Sequence, residues 1–294
     1  MKRLLAVLLV LMLTFACSAF ADQAKVMTSF YPMHIFALNV FDGIDEISVN
    51  CMTAPETGCL HDYQMIVSDM LKLAESDLFI VCGGGTEPYL EDVMRQFPQL
   101  AIADCSEGLT FLEDCGLTHD HEHDHAVNTH AWLNVDNAMR MVDTIAAWGC
   151  KQFAEHAEKI KANAEAYKER LSLLNTEISA QLMPLSGKQA ITFHEAFAYF
   201  AAAYGIEVLA SVNHESENGM SPAQIALVIR YVKSAGTPPL FADVTSSTSA
   251  AHTVAAETGA KIYAFDPIVS GDKVLTAYED AMRANAQAVL EAFK

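Results

Sequence analysis

Histidine recurs at 119, 121, 123 and 125 with acidic residues interleaved, and after a short spacer comes His130, followed by the apolar Ala131-Trp132-Leu133. Five of the chain's eleven histidines fall within these twelve residues. Neutral imidazole is the commonest protein ligand for first-row metals near neutral pH, and dense His tracts read as metal binding on composition alone. Polar residues also stand where strands are expected to end or helices to begin: His61 in GCLHDYQ, His130, His194 in TFHEAF and Asp266 in AFDPI. Ligands of open α/β sheets bind outside the carboxyl ends of the strands, which is where His194 and Asp266 fall. Each of these residues is equally suited to capping a helix or opening a turn. Asp243 also follows an apolar run and is placed to orient a ligand imidazole. His156, His214 and His252 lack such a placement and read as surface residues.

Catalysis finds less support. His194-Glu195 begins like the zinc-hydrolase pattern H-E-x-x-H, but the second histidine would fall at Ala198. No Ser or Cys nucleophile motif compensates, so no enzyme is expected. Gly83-Gly84-Gly85 lacks the spacing and the following Lys of a phosphate loop and reads as a strand-to-helix turn.

The elements that would position these residues alternate. Short β-prone runs lie at 25–31, 47–52 and 77–82, and again at 189–193, 206–212, 240–244 and 261–265, with helical stretches between them. Between the halves, Phe153, Ala157, Ile160, Ala164, Tyr167, Leu171, Leu174 and Ile178 recur at spacings of three and four. This predicts one amphipathic helix over 153–183, about 45 Å long, stopped by Pro184 and Gly187. The expected fold is α/β: two βα lobes with central parallel sheets, joined by one long rigid helix, with the site between the lobes. The boundaries read as leader 1–21, N-terminal lobe 22–150, linking helix 151–184 and C-terminal lobe 185–294.

Met1-Lys2-Arg3 followed by LLAVLLVLMLTFA has the pattern of a secretory leader, with cleavage best placed after Ala21. The mature chain is expected to be soluble outside the cytoplasm, in a periplasm or its equivalent; lipid attachment at Cys17 is the alternative. Losing Lys2 and Arg3 takes the formal charge from −19 to −21, which argues against nucleic acid and anionic membranes and favours cations. In an oxidising compartment, Cys51 with Cys59 and Cys105 with Cys115 are the plausible bridges, although sequence does not fix connectivity.

KVMTSFYPMHIFALNV, HDYQMIVSDMLKLAESDLFIVCGGGTEPYLEDV, THAWLNVDNA, TFHEAFAYFAAAYGIEV, ADVTSSTSAAHTVAAETGAKIYAFDPI and TAYEDAMRANAQAV resemble, in order, successive blocks of the zinc and manganese solute-binding proteins of ABC importers. The resemblance implies metal ligands at His61, His130, His194 and Asp266, and delivery by a monomer to a membrane permease. The His-rich loop before His130 is similar to the zinc branch, and it implies a weak secondary site at His119, His121, His123 and His125. Three imidazoles and a carboxylate suit tetrahedral Zn2+ better than Mn2+, while Cu2+ and Ni2+ would bind as well. The chain departs from the family pattern at Asn128, Asn134 and Gln64, where acids are usual, and at Gly58-Cys59-Leu60, where the entry to His61 is usually Pro-rich. A secreted zinc buffer or adhesin without a permease is the alternative to transport, with a zinc-dependent hydrolase ranked below it.

Overall fold

The computed structural model describes residues 23–54, 57–60, 63–113, 127–212, 220–244 and 249–294. The expected leader with Cys17, His61 and the histidine tract at 119–125 lie outside the described residues.

The first half contributes β1 (Ala24–Thr28), α1 (Tyr31–Val40), β2 (Ile47–Cys51), α2 (Val67–Ala74), β3 (Leu78–Val81), α3 (Leu90–Gln96) and β4 (Ala101–Asp104). These strands form a parallel sheet in the order β2-β1-β3-β4. A two-stranded antiparallel pair follows, β5 (Leu112–Glu113) with β6 (Val127–Asn128). Then come α4 (Val135–Gln152) and the long α5 (Ala157–Leu182). The second half contributes β7 (Gln189–Thr192), α6 (Phe197–Ala203), β8 (Glu207–Ser211), α7 (Pro222–Ser234), β9 (Leu240–Asp243), α8 (Ser249–Thr258), β10 (Ile262–Phe265) and α9 (Ala277–Ala292). Its sheet is also parallel, in the order β10-β9-β7-β8.

Both sheets therefore have the same order when their strands are counted along the chain, with the second strand on one side of the first and the third on the other. Strand order reverses between β1 and β3, and between β7 and β9. Helices cover both faces, so the central strands are apolar throughout: LFIV of β3 is buried at every position. In β9 the same is true of Leu240-Phe241-Ala242, and the polar Asp243 at its end is buried as well.

The linking helix buries Ile160, Ala164, Tyr167, Leu171, Leu174, Ile178 and Leu182, a stripe at helical spacing. It begins at Ala157 rather than 153, because Phe153 ends α4 in a non-helical conformation (φ −124°, ψ 64°). At about 1.5 Å per residue it spans about 39 Å. One continuous apolar cluster joins the first sheet, α1, α4, α5 and α9 to Phe197, Phe241 and Phe265 of the second half. Polar ties reinforce it: Asn163 Nδ2 donates to the carbonyls of Val40 and Asp42, and Arg170 Nε pairs with Glu279 Oε1 at 3.0 Å. Among the described residues no helix is long and apolar enough to cross a membrane.

Other expectations are corrected. Cys51 and Cys59 form no disulfide with each other, and Cys105 is a buried thiol whose suggested partner Cys115 is outside the described residues. Helix α3 starts at Leu90, and in the turn before it the Glu87 carboxylate accepts the amides of Cys82 and Gly83 at 2.8 and 2.9 Å.

Candidate metal centre

The second sheet delivers His194. The chain leaves β7 at Thr192 and keeps pairing with β9 for one more residue, Phe193 N donating to Phe241 O. Thr192 Oγ1 then accepts from His194 N at 3.2 Å and donates to His194 O at 2.7 Å, which pins the backbone at His194. Asp243, the last residue of β9, places Oδ2 3.5 Å from His194 Nδ1. The two residues thus sit at the carboxyl ends of β7 and β9, on either side of the point where strand order reverses, the general binding position of open α/β sheets.

His130 arrives from the first half, between β6 and a single 3-10 turn, Ala131–Leu133. The apolar Ala-Trp-Leu is a fully buried anchor: Trp132 Nε1 donates to Pro267 O at 2.8 Å, and Tyr278 Oη donates to Trp132 O at 2.7 Å. Asn128 supports the imidazole. Its Oδ1 accepts from His130 N and lies 3.1 Å from His130 Nδ1, while its Nδ2 donates to the Glu195 carbonyl at 2.8 Å. Glu195 Oε1 stands 3.3 Å from the same Nδ1. The absence of an acid at 128 is therefore made good from the other lobe. Asn134 serves locally, its side chain capping α4 through the amides of Asp136 and Asn137.

The oxygens of Asn128 and Glu195 beside His130 Nδ1 favour the tautomer that carries its proton there and leaves Nε2 facing the crevice. The two Nε2 atoms meet a third donor, Cys59 Sγ, at 3.5 Å from His130 and 3.8 Å from His194. All three donor atoms lie within 4.8 Å of one another. His130 is fully buried and His194 is 7% exposed, so neither is a surface residue.

Asp266 stands apart from this group. Its Oδ1 accepts from Ile268 N at 2.7 Å, and its backbone pairs in both directions with the Asn285 amide. Burial, and secondarily the charge of Asp243, pushes its carboxyl above the usual range. Burial likewise pushes the Tyr31 hydroxyl up to about 12, with Asp266 the next cause. The placement of His61 is outside the described residues, but its neighbour Leu60 is buried and Cys59 reaches the centre. Sequence reasoning missed Cys59, although its spacing of two from His61 was a usable signal. It also missed the Asn128 and Glu195 contacts, which depend on two lobes meeting.

Two parallel α/β lobes of matching strand order, joined by one long helix and facing each other across a donor-lined crevice, define a two-lobed solute-binding protein. The chain belongs to the family of the zinc-uptake complex component A periplasmic, ZnuA, whose model matches residues 26–292. It is 27% identical over 292 residues to the zinc-binding protein AdcA of Streptococcus pyogenes serotype M3, covering 91% of this chain and 55% of that protein. The chain thus spans about half the length of the AdcA proteins it matches. It is 25% identical over 283 residues to the high-affinity zinc uptake system protein ZnuA of Bacillus subtilis, covering 91% of this chain and 87% of that one. In fold it is similar to the solute-binding protein FpvC of Pseudomonas aeruginosa, solved with Mn2+, at a TM-score of 0.82 and 22% identity over 92% of this chain and 98% of that one.

Proposed function

We propose that this chain captures Zn2+ outside the cytoplasm and hands it to the permease of an ABC importer. The observation that carries the reading is the pair of buried imidazoles whose Nε2 atoms converge beside Cys59 Sγ, with His130 Nδ1 held against the oxygens of Asn128 and Glu195. That is how metal-binding histidines are prepared, because the bond at one nitrogen fixes the tautomer and raises the basicity of the other. The names of AdcA and the Bacillus subtilis ZnuA, zinc-binding and zinc-uptake proteins, favour Zn2+ over Mn2+, as does a nitrogen-rich donor set.

The ligands in this reading are His61, His130, His194 and Asp266. The histidine tract 119–125 is a weak secondary site. Nothing in the reading requires a reaction: the cation is cargo, and the lobes act as two halves of a clasp held by α5. The protein works as a monomer, and its partner is the membrane permease.

A chelator-competition titration with Zn2+ and Mn2+, run beside His194→Ala, tests the proposal. Tight zinc binding that is lost in the variant supports it. Weak binding indifferent to the substitution would overturn it and leave only a surface zinc buffer.

A further inference from the structure

We propose that Cys59 is a metal ligand, so that the crevice binds its cation through a thiolate as well as imidazoles. This rests on the reading of the crevice as the metal site. The distances are those a cation would set. With Zn–S near 2.3 Å and Zn–N near 2.0–2.1 Å, a tetrahedral ion separates S from N by about 3.6 Å. Cys59 Sγ lies 3.5 and 3.8 Å from the two Nε2 atoms.

His130 sets its Nδ1 against oxygens of Asn128 and Glu195, which turns its Nε2 toward Cys59 Sγ. A shared cation would engage the thiolate and both imidazoles together, the three donor atoms lying within 4.8 Å of one another. The other described cysteines are engaged elsewhere. Cys82 and Cys105 are buried, with thiols pushed far up by burial; Cys51 contacts Thr53 Oγ1 at 3.7 Å; Cys150 Sγ donates to Ala157 O at 3.5 Å.

A sulfur ligand changes which cations the crevice prefers. Thiolate is soft and selects Zn2+, Cd2+ and Cu+ over Mn2+, whereas carboxylate favours the harder ion. Asp266, the carboxylate expected to complete the site, has Oδ1 committed to Ile268 N, consistent with sulfur holding a ligand position. The preference for soft cations should therefore be greater than imidazoles alone would give.

Co2+ titration of the full chain under reducing conditions, with Cys59→Ser and His194→Ala alongside, tests this. The wild-type protein is expected to show visible d–d bands together with a near-ultraviolet sulfur-to-cobalt charge-transfer band. Cys59→Ser should keep the d–d bands, lose the charge-transfer band, and bind Cd2+ at least about tenfold more weakly while changing little toward Mn2+. In parallel, Zn2+ should protect Cys59, and not Cys51, from iodoacetamide in peptide mapping. Wild-type d–d bands without a charge-transfer band, or alkylation of Cys59 unaffected by saturating Zn2+, would overturn the ligand assignment and leave the crevice as an imidazole site. Absence of tight Co2+ and Zn2+ binding in the wild type would overturn the transport reading and this one with it. Protection by Zn2+ also keeps the test open should Cys59→Ser fail to fold.

Discussion

Glu195 Oε1 lies 3.3 Å from His130 Nδ1, although the two residues come from opposite halves of the chain. Glu195 follows directly on His194, so one short segment supplies an imidazole to the crevice and the carboxylate that steadies the facing imidazole. Asn128 completes the junction by accepting from the His130 backbone and donating to the Glu195 carbonyl. The chain thus keeps a carboxylate on its second-lobe side where the first lobe offers only an amide.

Glu195→Ala is expected to weaken Zn2+ binding about 10–100-fold, the usual cost of removing an outer-shell partner, with one zinc still bound per chain. Glu195→Gln keeps a hydrogen-bond acceptor and should lose less. Competition with a calibrated chelator reads both. Equal affinity in all three proteins would mean that Asn128 alone fixes the ring.

His34, on α1, is 2% exposed, and its imidazole is lowered from 6.5 to about 4, first by burial and then by Lys273. Between those values the unfolded chain binds a proton that the native chain refuses, so acid favours unfolding. The contribution is complete above pH 6.5, falls as pH drops toward 4, and amounts to about 3 kcal/mol at most. Urea midpoints measured against pH should fall over this window in the wild type and fall less steeply in His34→Gln. Parallel curves would remove His34 as the cause.

Gly83 adopts φ +78°, and a Cβ there would stand 1.8 Å from Asp104 Oδ1, which Ser106 holds through both its amide and its hydroxyl. Gly83→Ala is therefore expected to destabilise the first lobe by about 2–4 kcal/mol, combining backbone strain with a clash that cannot relax cheaply. Gly85→Ala meets nothing within 4 Å and should cost only the strain of its left-handed backbone, about 1–2 kcal/mol. Denaturant melts of the two variants separate these effects, and equal losses would show that the clash relaxes.

The frame was legible where local chemistry and packing agree. The capping box of Ser221 and Gln224 sets the start of Pro222–Ser234, and the apolar stripe of α5 matches its buried face residue for residue from Ile160 to Ile178. Short β4 carries only Ala101-Ile102-Ala103-Asp104 and takes its definition from pairing with β3, which no local pattern announces. Helix α4 is legible in retrospect: Val135, Ala138, Met141, Val142 and Ile145 form its buried face, and Asn134 caps it. His194 was readable because it follows an apolar strand, and His130 because the apolar Ala131-Trp132-Leu133 that follows it becomes a buried anchor. Cys59 was not, because its cysteine chemistry invited a bridge to Cys51 and its meaning comes from two rings more than seventy residues away in sequence.

The two lobes are expected to move little when zinc binds. Tyr31 Oη donates to Asp272 O, Asn39 Nδ2 to Leu275 O, and Trp132 Nε1 to Pro267 O, at 2.7, 3.0 and 2.8 Å. The Arg170–Glu279 pair adds a charged tie from α5 to α9, and Phe36 packs edge-on against Tyr278 at 5.2 Å across the same seam. A hinge opening at this seam would break these bonds, each worth about 1 kcal/mol, and expose part of a shared apolar core. Differential affinity for an open and a closed state is what lets a ligand drive closure, and a seam this closely tied raises the cost of the open state. Solution scattering with and without Zn2+ should therefore show a radius of gyration unchanged to within about 1 Å. Arg170→Ala leaves the buried Glu279 carboxylate without its half-exposed cation and should cost about 1–3 kcal/mol in a urea melt, whereas replacing both partners with leucine should cost less. A compaction of several ångströms on loading, with Arg170→Ala as stable as the wild type, would show that the seam opens and that capture works by closure.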